Sequence, residues 1–104
     1  MSEQKPLYVY RLDRETGIIE DYAVTEYRKY SDEVSYRLPD STNVFFTKFK
    51  DFDKAKSGKV VSWEMDKETA TKMLLDDLYD KRNKSYEDYS RYDSLIVKVR
   101  RQYE

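Results

Sequence analysis

Leu, Ile, Val and Phe supply only 22 of the 104 side chains while Tyr supplies eleven, so any core this chain builds must use tyrosine rings as filling. A ring buried in this way still needs a wet or hydrogen-bonded hydroxyl. So few aliphatic residues would suit a disordered chain, but disorder also calls for a large net charge and few aromatics. Here the net charge is -1 and aromatics make up 15% of the residues. The chain is therefore read as folded, and its length suits a single domain spanning 1–104.

Cys and His are both absent. Without Cys there is neither a disulfide framework nor a thiolate metal site, and a cytoplasmic, reducing setting is compatible. Without His the commonest acid–base group near neutral pH is missing, as are Ser-His and Cys-His nucleophile pairs. A non-enzymatic protein without cofactor or metal is expected. Zinc lacks its preferred ligands, and the Asp51/Asp53 pair fails as a calcium loop because Lys56 and Ser62 stand where Gly and Glu are needed. With only Gly17 and Gly58, no phosphate-cradling loop can be assembled. The first six residues lack an apolar signal core, and no apolar run is long enough for a membrane span.

The pattern along the chain predicts an α+β fold: an antiparallel sheet of about four to five strands, then one or two C-terminal helices packed on it. Residues 1–6 are expected to be flexible, 7–64 mainly strands and 66–102 mainly helical. Residues 7–12 and 18–24 form one hairpin around Gly17; 34–38 and 44–47 form a second across a Pro-, Asp- and Asn-containing turn. Phe45-Phe46 breaks the alternation, which predicts a strand covered on both sides. Residues 48–59 form a polar connector carrying Phe49 and Phe52, and 60–64 a fifth strand.

Asp66 is a predicted N-cap for a helix from 67 through 79, and Ser85 with Asp88 predicts a second helix starting at 85. In that second segment Tyr89, Tyr92, Ile96, Val99 and Tyr103 are spaced 3, 4, 3 and 4 apart, a heptad seam through which a homodimer could form. Residues 95–99 also alternate as a strand would, and the helix is preferred. Asp76, Asp77 and Asp80 lie within about a turn of lysines, which predicts a salt-bridged exposed face.

Tyrosine in excess of one core's need, in a chain with no catalytic kit, points first to a protein partner. Tyr86, Tyr89, Arg91 and Tyr92 are the candidate contacts. Nucleic-acid binding is the alternative, through Lys48, Lys50, Lys54, Lys56 and Lys59, with Tyr8, Tyr10, Tyr36 and Phe46 as possible stacking rings. A structural component of an assembly is a third reading.

An aromatic strand-turn-strand opening, a Lys-rich loop, the run Gly58-Lys-Val-Val and the helix opening 66–75 resemble small accessory proteins of phages and mobile elements of low-GC Gram-positive bacteria. The resemblance implies a cytoplasmic protein acting by stoichiometric binding, for example inhibiting a host or defence protein such as a CRISPR nuclease. It carries over no site residues, and the near-neutral charge argues against a strongly acidic DNA mimic.

Overall fold

Strand β1 (Leu7–Leu12) is apolar on both faces, and that property organises the molecule. Leu7 and Val9 point one way and Tyr10 and Leu12 the other, each ending in a different buried cluster. A strand buried on both sides needs a layer above and a layer below it. The computed structural model describes residues 5–39 and 41–102, and it shows both layers. Of the expected flexible segment, residues 1–4 lie outside this range. Lys5 is fixed, its carbonyl accepting the Tyr27 hydroxyl at 2.6 Å and its ammonium pairing with Glu64.

Antiparallel strands and C-terminal helices are present as expected, but the strands form two three-stranded sheets in place of one. In the first, β1 is central between β2 (Ile19–Val24) and β6 (Lys59–Ser62). The second runs β3 (Tyr27–Lys29), β4 (Glu33–Arg37), β5 (Val44–Lys48). Only Thr25 and Glu26 separate β2 from β3, so the chain changes sheets at that bend, a common way of joining packed sheets. After β5 comes a one-turn 3₁₀ segment, Phe49–Asp51, and β6 then returns to β1 rather than extending the second sheet.

Between the sheets lie Leu7, Val9, Val24, Val34, Tyr36, Leu38 and Val61. On the opposite side, α1 (Lys67–Lys84) and α2 (Tyr89–Arg101) cover Tyr10, Leu12, Ile19 and Val60 with Ala70, Leu74, Leu78, Leu95, Ile96 and Val99. Two of the tyrosines serve as core filling. Tyr36 is fully enclosed with its hydroxyl 3.1 Å from Thr47 Oγ1, while Tyr10 donates to the Met65 carbonyl at 2.5 Å. Burial, followed by the nearby charges of Asp21 and Asp66, pushes the Tyr10 hydroxyl above its ordinary pKa.

Several expectations need correcting. Phe45 faces inward but Phe46 is 59% exposed, because successive strand residues point to opposite faces and β5 is an edge strand with one open side. Asp66 caps α1 as predicted, accepting from Thr69 N at 2.9 Å, but the helix continues to Lys84. Ser85 terminates α1 and accepts from Asp88 N at 3.3 Å, so α2 starts four residues later than the Ser85–Asp88 pattern indicated. Residues 95–99 are helical. The heptad seam is occupied within the chain: Ile96 and Val99 are buried against α1 and the sheet, so neither is available to a second copy. Tyr103 of that seam lies outside the described residues.

Candidate nucleic-acid interface

Lys48, Lys50, Lys54, Lys56 and Lys59 all line one concavity of about 420 Å³. Its walls come from β5, the connector and β6, with Glu33 of β4 at its margin. The connector takes this course because its two phenylalanines are held inward. Phe49 and Phe52 pack on the inter-sheet core with ring centroids 5.5 Å apart, and Phe52 lies 5.5 Å from Trp63. With the rings anchored, the intervening lysines are left outward. The return to β6 is a two-residue turn in which Ser57 (φ 53°) and Gly58 (φ 75°) both take positive φ, closed by Lys56 N to Lys59 O at 2.9 Å and the reverse bond at 3.0 Å.

The five lysines differ in freedom. Lys56 pairs with Asp51 at 3.2 Å. Lys59 sits with its Nζ 4.8 Å from the Phe45 ring centroid and 5.3 Å from that of Tyr36, a position stabilised by the ring quadrupoles. Lys48, Lys50 and Lys54 form no ion pair with any described residue, although Glu33 is the cross-strand partner of Lys48. Five lysines and two acids, Glu33 and Asp51, thus line the concavity.

Beside the concavity is the outer face of the second sheet. Register places Arg28, Ser35 and Phe46 in one row across β3, β4 and β5, with Arg37 opposite Val44 in the next. Phe46 is therefore an exposed ring between a guanidinium side chain on β3 and the lysines. Of the other proposed stacking rings, Tyr10 and Tyr36 are buried and Tyr8 packs on the helix-side core, so Phe46 alone of the four is presented.

Of the tyrosine candidates, Tyr86 and Tyr89 are exposed and Tyr92 is partly buried. Tyr86, in the link between the helices, is 100% exposed. Tyr89, 47% exposed, also stacks on Arg82, whose Cζ is 5.2 Å from its ring centroid and 5.1 Å from that of Tyr79, while Arg82 Nη1 pairs with Asp93 at 2.9 Å. Tyr92 packs against the helix-side core. Arg91 is exposed, 3.9 Å from Asp88.

One feature escaped the sequence reading: a groove of about 1230 Å³ at the end of the sheets, floored by Trp63 and Tyr27. The Trp63 ring meets Tyr27 edge-on at 5.3 Å and carries the Lys29 ammonium 4.7 Å from its centroid. The single Trp following a strand was its only signal. Of the pair weighed as a calcium loop, Asp51 is paired with Lys56 and Asp53 accepts the Ser62 hydroxyl; on the expected salt-bridged face of α1, Asp77 and Asp80 pair with Lys81 and Lys84, and Asp76 forms no ion pair with any described residue. Among the described residues no helix is long and apolar enough to cross a membrane.

No protein-family model, curated protein or solved structure matches this chain.

Proposed function

We propose that this is a non-catalytic, cytoplasmic protein that binds single-stranded nucleic acid. The reading is carried by one observation, the convergence of five lysines on a single concavity beside the exposed ring of Phe46. A basic groove that tracks phosphates next to a ring on which a base can stack is the usual arrangement of sequence-tolerant single-strand binding.

Fluorescence anisotropy of a short labelled single strand, in DNA and RNA versions, tests the proposal. Each neutralised phosphate of a single strand contributes about −0.7 to the slope of log K against log salt, so the three unpaired lysines predict a slope near −2. Replacing Lys48, Lys50 and Lys54 by Ala should abolish that slope, and Phe46→Ala should cost about 1–3 kcal/mol of binding. Binding that ignores salt, or none at low salt, would refute the proposal.

A second reading rests on the full exposure of Tyr86 at the turn of the helical hairpin. An exposed aromatic and the exposed Arg91 on one helical hairpin suit a protein partner held stoichiometrically. Loss of that partner on Tyr86→Ala, with strand binding intact, would favour it.

A further inference from the structure

A second basic concavity lies between the β1–β2 loop and α2. It measures about 200 Å³ and is lined by Arg14, Arg91, Tyr92, Ser94, Leu95 and Lys98. No carboxylate lines it, and apart from Leu95 every lining side chain ends in a hydrogen-bond donor. We propose that this is a binding site for a phosphate monoester dianion, separate from the lysine concavity.

The loop that brings Arg14 is rigidly built. Asp13 Oδ1 accepts from Glu15 N at 2.9 Å and Thr16 N at 3.3 Å, and Gly17 N donates to the Asp13 carbonyl at 2.8 Å. Lys98 Nζ then donates to the Glu15 carbonyl at 3.0 Å, tying loop to helix with Arg14 beside that tie. Arg14 forms no ion pair with any described residue, and Arg91 only the long 3.9 Å contact with Asp88. Two guanidinium forks and an ammonium lining one concavity suit a group presenting three terminal oxygens and close to two negative charges. The volume is below that of ordinary small-molecule pockets, so it admits the phosphate and leaves the esterified group outside, beside Tyr92.

The test is a titration of the whole chain followed by amide chemical shifts, with inorganic phosphate and phenyl phosphate as probes and sodium chloride matched for ionic strength. Saturable shifts at residues 13–17 and 91–98 are expected. Tighter binding of phenyl phosphate than of inorganic phosphate is expected, and equal binding would overturn the ester as the natural occupant. Arg14→Ala and Arg91→Ala, both at exposed positions that leave the fold intact, should each weaken binding about tenfold, the loss of one charge-assisted contact. Neither should alter single-strand binding at the lysines. Shifts that fail to saturate, that chloride reproduces, that both variants retain, or that centre on residues 48–59 would overturn the proposal.

Discussion

Replacing Gly17 by Ala should be among the most damaging conservative changes in this chain, and Gly58→Ala provides its control. Both glycines hold nearly the same left-handed backbone, φ 76° and 75°. Each Ala variant therefore carries the same conformational penalty, about 1–2 kcal/mol for a Cβ in that region. Each also gains the same small offset from a stiffer unfolded chain. The surroundings differ. A Cβ on Gly58 would meet nothing nearer than Leu12 Cβ at 4.0 Å, whereas one on Gly17 would lie 2.5 Å from Lys98 Cβ, 2.9 Å from Lys98 C and 3.0 Å from Val99 N. Carbon atoms rest about 3.5–4.0 Å apart, so α2 has to move by about 1 Å, and two of the three clashing atoms are backbone that no rotamer change relieves. Overpacking of this kind costs about 1–3 kcal/mol. The totals are then about 2–5 kcal/mol for Gly17→Ala and about 1–2 for Gly58→Ala. Their difference isolates the docking of α2 on the β1–β2 loop. Urea unfolding followed by circular dichroism measures both, provided the m-value stays constant between variants. Equal destabilisation would show that α2 does not press on this loop, and the frame argued for the Arg14 concavity would fall with it.

Two further predictions concern the helices and acid stability. Arg82→Lys keeps the charge but loses the planar stack between Tyr79 and Tyr89, so it should lower stability by about 1 kcal/mol and speed amide exchange at residues 85–88; unchanged exchange would show that Arg82 does not hold the hairpin. Asp13 and Asp66 are both held below the ordinary carboxylate pKa, Asp13 first by the Glu15 amide and Asp66 first by a hydrogen bond from Thr69. Because their folded pKa values are depressed, the stability they add is complete above the unfolded value of about 4 and is lost as pH falls through the folded values. The double variant Asp13→Asn, Asp66→Asn should retain turn and cap at neutral pH yet show a flatter acid limb in the urea midpoint; an unchanged limb would remove these two groups from the account.

What the sequence disclosed was local. The first hairpin was readable because Gly17 sits where a five-residue loop needs positive φ, and α1 because Asp66 precedes a helical apolar stripe. The same chemistry misled at Ser85 and Asp88, since short oxygen-bearing side chains close turns as readily as they open helices. The division into two sheets was not readable: the bend at Thr25-Glu26 has neither Gly nor Pro, and β3 is only three residues long. Nothing near β6 announces that its partner is β1, some fifty residues earlier. For the site, the density of lysines in 48–59 was plain, but their convergence depended on Phe49 and Phe52 turning inward. The Arg14 concavity joins residues from opposite ends of the chain, so no local pattern could have shown it.

A net charge of -1 gives no overall field to attract an anionic partner, but the local distribution of charge decides the matter. Charges more than about 8–10 Å apart are screened at ordinary ionic strength, so a phosphate responds to its immediate neighbours and not to the sum over the chain. Along α1 three of the four acids stand one helical turn before a lysine, and Glu68, Asp77 and Asp80 pair with Lys72, Lys81 and Lys84 on the helix surface. Those pairs cancel in the total and cancel locally as well. The connector has no such spacing, and its second acid, Asp53, is turned away to accept the Ser62 hydroxyl. Five lysines against Glu33 and Asp51 therefore leave an excess of positive charge at the concavity of a nearly neutral protein.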